Sequence, residues 1–523
     1  MTSAPLIILG LDAGDPRLLE TWSADGRLPT LAALRRRGAW GRTGGPELVT
    51  EHGVWLSLVT GVSRSRHGLY YLRQPPPGFY HPRPVSGRDF DTPPFWAALR
   101  GTGRRVAAID VPDMPLVPGL PGLQLADWAV HYTEEAPAAL PAGALTEAAR
   151  VFGPREIVAE DHTEDEAKDR AIFERLKARV RRKGALLRHL LAGGEFDLIV
   201  AALSEAHTGG HQLWRHTPEV SPPASAELAG ALCQLYQAID AELGRLLAAL
   251  PGEANVLVVA SVGLKDQYPT GGLGAALLRE RGYQPAPSGG RPVRGSLDVA
   301  RRLLPEALRA RLSRGLPRAR REALLAQQYL AGTDWGRATA FALPTTYTSM
   351  VRVNLRGREP QGVVQAGAEY EQILAQLEAD FAALVDPLTG GPAVLRLDRA
   401  TALFGPEPPA QLPDLFVEWQ PARHFVARVA HPRGDLRQAR PEFFRGTDHS
   451  RAGFIVAAGP DIAAHGQLSA PFDALDLAPT ALALLGQPAP PALTGRVAGF
   501  VQARSGPGAQ APAGRSSGVS EYR

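Results

Sequence analysis

Short apolar runs recur along the chain, and each gives way to a polar loop and then to residues with helical spacing. The first is Leu6 to Leu11, which ends in Asp12. Others are Val106 to Ile109, Leu198 to Leu203, Val256 to Ala260 and Phe454 to Ala458. Continuous apolar runs of this length predict strands buried on both faces of a parallel sheet. Between them, Glu164 to Leu191 and Ala226 to Leu250 carry apolar residues at helical spacing with charges on the other positions. Strands alternating with helices predict an α/β fold, a doubly wound and mostly parallel sheet with helices on both faces. In such sheets ligands bind beyond the carboxyl ends of the strands. Asp12, Asp110, Ser204 and Ser261 stand at those ends.

Length and charge narrow the picture. With 523 residues, 44% of them hydrophobic, the chain can build a large core. Its 57 basic and 53 acidic residues leave a formal charge of +4, too small a surplus to argue for nucleic-acid binding. Cys233 is the single cysteine, so no intrachain disulfide is possible. The start of the chain lacks a basic region followed by a signal-length apolar stretch, and no run is long enough to span a bilayer. A cytoplasmic location is the expectation. The basic stretch from Ser288 to Gln328 sets many arginines among Leu and Ala. It reads as a helical cap or lid, with a contact for anionic lipid or another polyanion as the sharper alternative. The expected organisation is an α/β core over residues 1–285 and 335–503, a basic helical insertion over 286–334, and a disordered tail over 504–523.

Four segments carry candidate chemistry. Asp12 lies in Leu9-Gly10-Leu11-Asp12-Ala13-Gly14, where it reads either as a cation ligand or as a capping aspartate. Thr50, in Thr50-Glu51-His52-Gly53, precedes an apolar helical run. It reads either as that helix's cap or as a nucleophile beside an anion-binding helix N-terminus. His207 and His211 stand four apart after a buried strand, with glycines between them and Glu205 just before, a spacing that lets two imidazoles converge on one ion. His216, close by, is expected at the surface. His449, in Gly446-Thr447-Asp448-His449, gains meaning only as a third nitrogen ligand for the histidine pair.

Taken in order, these segments resemble the alkaline phosphatase superfamily, nearest its type I phosphodiesterase/nucleotide pyrophosphatase group. Supporting stretches are Leu58-Val59-Thr60-Gly61, Arg66-His67-Gly68, Val353-Asn354-Leu355-Arg356-Gly357 and Asp476-Leu477-Ala478-Pro479-Thr480. The resemblance implies two divalent cations, zinc or else manganese, flanking a phosphate. One ion takes an Asp-x-x-x-His segment, here His207 and His211, plus a late histidine, here His449. The other takes the first-strand aspartate, here Asp12, the nucleophile, here Thr50, and an Asp-His pair after a later strand.

The chain departs from that pattern in three places. His207 stands where the family has an aspartate, and Glu205 is the candidate to restore the lost charge. Ser261 and Val262 stand at the Asp-His pair. The interval from Thr50 to Gly61 is one residue longer than is usual in the family, so strict spacing puts Glu51 at the nucleophile position. Glu51 and His52 are the candidates to compensate at the weakened ion, with Asp266 a more distant one. The implied function is metal-dependent hydrolysis of phosphate esters, diesters or pyrophosphates before monoesters, through a phosphothreonine on Thr50. The alternative is a weakened binding or regulatory protein on the same scaffold. A sulfatase would need a maturing Cys or Ser in a Cys/Ser-x-Pro-x-Arg setting, which Cys233 lacks. Phosphomutase and phosphonate-hydrolase relatives stay open. The basic stretch and the loop from Gln74 to Asp91 are the expected walls for an anionic, phosphate-containing small molecule.

Overall fold

The computed structural model describes residues 4–131, 133, 135–161, 163–250, 253–287, 329–441 and 444–502. Most of the basic insertion and all of the expected tail lie outside these residues. Among the described residues no helix is long and apolar enough to cross a membrane.

The main sheet is built on β1 (Leu6–Leu11), β2 (Ala39–Gly44), β3 (Val106–Ile109), β4 (Gly122–Ala126), β5 (Ala138–Leu140), β6 (Leu198–Leu203), β7 (Asn255–Ala260), β8 (Phe454–Ala458) and the two-residue β9 (Gly466–Gln467). Their order across the sheet is β9-β2-β8-β7-β1-β6-β3-β4-β5. β1 runs parallel to both β6 and β7, and β3 runs parallel to β4 and β6. β8 is antiparallel to its neighbours β7 and β2, and β5 to β4. All five expected strands are present. Two apolar clusters, one on each face of the sheet, cover the alternate side chains of β1: Ile7, Leu9 and Leu11 on one side, Leu6 and Ile8 on the other.

The helices that position the site are α1 (Val54–Thr60), α2 (Glu166–Leu191), α3 (Glu205–Leu213) and α4 (Ala231–Ala249). α2 starts two residues later than the periodicity suggests because Asp165 caps it, accepting from the N–H groups of Ala167 and Lys168. A separate four-stranded antiparallel sheet, built on residues 340–343, 349–353, 394–399 and 415–419, packs with the helix Gly271–Glu280 around its own apolar cluster.

Candidate metal centre

The centre of the sheet fixes the site. Because β6, β1 and β7 lie side by side in register, the residues that follow them meet at one edge. Asp12 follows β1, Ser204 leads from β6 into α3, and Ser261 follows β7. α3 then carries His207 and His211 on one face, one helical turn apart. The glycines between them let that helix sink into the core. A Cβ at Gly209 would lie 2.1 Å from Leu235 Cδ2, and one at Gly210 would lie 2.3 Å from Leu264 Cδ1. His449 arrives on a strand, Thr447–Ser450, that pairs antiparallel with Gly263–Asp266 and sets His449 opposite Leu264. The altered segment after β7 thus helps position His449. Val262 itself is buried in an apolar cluster.

Two groups of donors result, and they share His207. The first is His207, His211 and His449, the second Asp12, His131 and His207; within each group the donor atoms lie within 4.8 Å of one another. His211 Nε2 is 3.1 Å from His449 Nε2. Asp12 Oδ2 is 3.2 Å from His207 Nδ1 and 2.8 Å from His131 Nδ1. A tetrahedral zinc with nitrogen ligands at 2.0–2.1 Å has ligand–ligand edges of about 3.3 Å, so these separations fit a divalent cation. The buried Nδ1 of His449 has no hydrogen-bond partner among the described residues.

Electrostatics agree with a ligand set. Burial, then the neighbouring His207, pushes His449 down to about 3, and burial, again followed by His207, pushes His131 down to about 4. Burial and then the nearby His449 hold His211 well below its ordinary value. These imidazoles are neutral at pH 7, the form that offers a lone pair. Burial alone would raise the Asp12 carboxyl, but His207 and His131 outweigh it and hold it well below the usual range.

The other sequence candidates have partners of their own. Thr50 does not cap α1. The residue before that helix is Gly53, in the left-handed region at φ 82°, and it makes no side-chain cap. A short 3₁₀ turn, Pro46–Val49, ends at Thr50, whose hydroxyl donates to the carbonyl of Tyr70 at 2.7 Å. Glu51 and His52 face each other at 3.0 Å. Glu51 lines a cavity of ≈ 20 Å³ together with Thr50, Val262, Asp448 and His449. Burial and the Glu51 carboxylate push Asp448 up to about 7. Glu205 does not join either donor group: its Oε1 accepts from Arg179 Nε at 2.7 Å, with both side chains fully buried. Asp266 accepts from Trp214 Nε1 and Arg423. His216 is buried rather than at the surface, paired with Asp169 at 2.9 Å.

His131 was missed by the sequence reading, as was Glu160, whose Oε1 lies 3.6 Å from His207 Nε2 and whose other oxygen pairs with Arg445. Beside His211 and Thr447 opens a cavity of ≈ 280 Å³, bordered by Arg215, Arg423 and Arg445. It is large enough for a small phosphate-containing molecule.

The profile described as type I phosphodiesterase / nucleotide pyrophosphatase matches residues 6–307. No curated protein matches the chain. Among solved structures, a phosphonoacetate hydrolase from Sinorhizobium meliloti 1021, in complex with phosphonoformate, is similar with a TM-score of 0.51 at 15% identity, covering 92% of this chain and 96% of that one. Murine ectonucleotide pyrophosphatase / phosphodiesterase 5 has a TM-score of 0.47 at 11% identity, covering 93% and 96%. The first likeness shows a shared fold.

Proposed function

The chain belongs to the type I phosphodiesterase / nucleotide pyrophosphatase family, and from that premise we propose that it hydrolyses phosphate esters, diesters or pyrophosphates before monoesters, in a metal-dependent way. Membership in the family supports the general activity, a phosphoester hydrolase. The observation that carries the metal-dependent reading is the convergence of His207, His211 and His449, from a helix and a distant strand, on one point.

A divalent cation bound there, zinc or manganese, would neutralise charge on phosphoryl oxygens and lower the pKa of an attacking oxygen. The chain's own residues do the rest. Three imidazoles and Asp12 hold charge and geometry at the strand ends. Arg215, Arg423 and Arg445 border the adjoining cavity and suit an anionic substrate, although each is partly committed to a carboxylate, Asp169, Asp266 and Glu160 respectively. Thr50 is the proposed nucleophile. To attack phosphorus it must first turn its hydroxyl away from the Tyr70 carbonyl. Glu51, at the position that strict spacing gives to the nucleophile, borders the same small cavity as His449; burial alone would raise its carboxyl, but His52 holds it below the ordinary range, so it stays charged and would help hold the cation.

The replacement of the Asp-His pair by Ser261 and Val262 favours a second reading, a binding or regulatory protein on this scaffold. One experiment separates them. Metal-stripped protein and protein reloaded with zinc or manganese are assayed on bis-p-nitrophenyl phosphate. Turnover that returns with metal and disappears in Thr50→Ala supports the hydrolase; equal and negligible rates support the binding protein.

A further inference from the structure

In the family pattern the ion that activates the nucleophile is held partly by an Asp-His pair, and Ser261 and Val262 have replaced that pair here. We propose that His131 takes over its work, so that Asp12, His131 and His207 form a second divalent-cation site beside His211 and His449, with His207 bridging the two sites through its two ring nitrogens as an imidazolate whose second ring proton leaves to solvent when both ions bind. This deepens the metal-dependent reading above and rests on it.

The first support is geometry. Asp12 Oδ2 has His131 Nδ1 at 2.8 Å and His207 Nδ1 at 3.2 Å. Both Nδ1 atoms thus lie beside the same carboxylate oxygen; the two imidazoles stack face to face, their centroids 3.9 Å apart and their planes 11° from parallel, and one ring tilts out of the stack when both lone pairs meet at one ion. The other oxygen of Asp12 is already engaged, accepting from Trp55 Nε1 at 2.8 Å and from Ser261 Oγ at 3.3 Å. Ser261 therefore orients Asp12 instead of coordinating in place of the lost pair.

The second support is an unmet need. The Nδ1 of His131 is buried and, although so near Asp12, makes no aligned hydrogen bond to it or to any other described residue. A buried ring nitrogen with only a poorly aligned contact gains from a cation that meets its lone pair. A further carboxylate, Glu160, stands 3.6 Å from His207 Nε2 and adds negative charge beside the ligands.

The third support is the machinery that holds His131 in place. Its loop is pinned from beneath by two fully buried cations on adjacent turns of α2. Lys183 donates to the carbonyl of Ala129 at 2.9 Å and pairs with Asp110 at 3.2 Å. Arg179 reaches the carbonyl of Val130 and pairs with Glu205. Asp110 in turn accepts from the N–H groups of Trp128 and Ala129. Asp110 and Asp127 both sit in the left-handed region, at φ 51° and 59°. Such backbone is costly for a residue with a side chain and persists where surroundings over-determine it, as they do at ligand sites. A carboxylate with two imidazole nitrogens suits zinc or manganese.

The test counts metal and reads ligation directly. The stripped full-length protein is loaded with zinc, dialysed, and measured by elemental analysis. The wild type should hold about two equivalents per chain, and His131→Ala and His449→Ala about one each. Zinc content in His131→Ala equal to that of the wild type overturns the proposal. In His131→Cys loaded with cobalt(II), a thiolate-to-cobalt charge-transfer band absent from wild type should emerge in the near ultraviolet. A folded His131→Cys that binds cobalt without that band also overturns it. Neither readout depends on turnover. Protein that binds both equivalents but hydrolyses nothing sinks only the hydrolase reading; protein that turns over while His131→Ala keeps its full zinc content sinks only this one.

Discussion

Trp55 donates its indole N–H to Asp12 Oδ1 at 2.8 Å, across the whole span from α1 to the end of β1. The ring reaches there by lying against Gly10, where a Cβ would stand 2.3 Å from Trp55 Cη2. One oxygen of the carboxylate is thereby tethered and the other is turned toward His131 and His207. Trp55→Phe keeps most of the packing and removes the tether. Loss of such an outer contact costs about 10–100-fold in metal affinity, so a competition titration against a chelator should show zinc binding weakened by that order. Unchanged affinity would mean that Asp12 needs no help to face the imidazoles.

Glu205 precedes the histidine pair in sequence, which makes it look like a replacement for the missing ligand carboxylate. In the folded chain its partner is Arg179, and the two are buried with no exposure. Removing one member of a buried pair strands the other charge, at a cost of about 3–5 kcal/mol. Glu205→Gln should therefore lower unfolding stability in urea by that amount while zinc content measured by elemental analysis stays at the wild-type value. A fall in bound zinc, with the fold intact, would place Glu205 among the ligands after all.

Gly210 separates the two helical histidines, and its lack of a side chain is a packing requirement. An added methyl would stand 2.3 Å from Leu264 Cδ1. Leu264 is itself buried, and it lies opposite His449 in the strand pairing. Overpacking of this kind costs about 1–3 kcal/mol. Gly210→Ala should lose that much stability and also bind zinc more weakly, because the displaced Leu264 disturbs the register of His449 against His211. Ala at exposed Gly357, where nothing lies within contact distance but φ is 80°, should cost stability alone.

The reach of sequence reasoning follows from where each signal originates. The five apolar runs became strands because burial on both faces leaves no polar position to disguise them, and the strand ends then located Asp12 and the histidine pair. β4 stayed hidden because Gln124 interrupts it. That amide is buried and satisfied locally, accepting from the N–H of Val117 and donating to its carbonyl. With the strand unseen, the strand-end loop that carries His131 had no reason to be read as part of the site. The helix-cap alternative for Thr50 fails for a different reason. Arg64, fully buried, donates to the carbonyls of Glu47, Thr50, His52 and Leu69, and so draws residues 47–52 out of the helix. Nothing local to Thr50 records that distant claim on its backbone.

The same loop offers a pH signature. His67 is buried, and its Nδ1 accepts from the N–H of Leu69 at 3.0 Å. The ring proton therefore sits on Nε2 and is donated to Ser57 Oγ at 2.9 Å, while Ser57 donates to Glu47 Oε2 at 2.6 Å. A second ring proton would face the Leu69 N–H and the Arg64 guanidinium. Burial, reinforced by the Arg64 charge, accordingly pushes His67 from 6.5 down to about 3. Above pH 6.5 folded and unfolded chains are both neutral at this residue, and its contribution is complete. As pH falls below 6.5 the unfolded chain takes up the proton and the folded chain refuses it, so stability declines by about 1.4 kcal/mol per pH unit until His67 itself titrates near pH 3. His67→Asn keeps an acceptor for Leu69 and cannot be protonated. Urea unfolding followed from pH 7 to pH 4 should show the variant less stable at neutral pH and flatter than wild type by that slope. Parallel curves would mean that His67 is protonated in the folded chain, and the Ser57–Glu47 arrangement around it would need the opposite polarity.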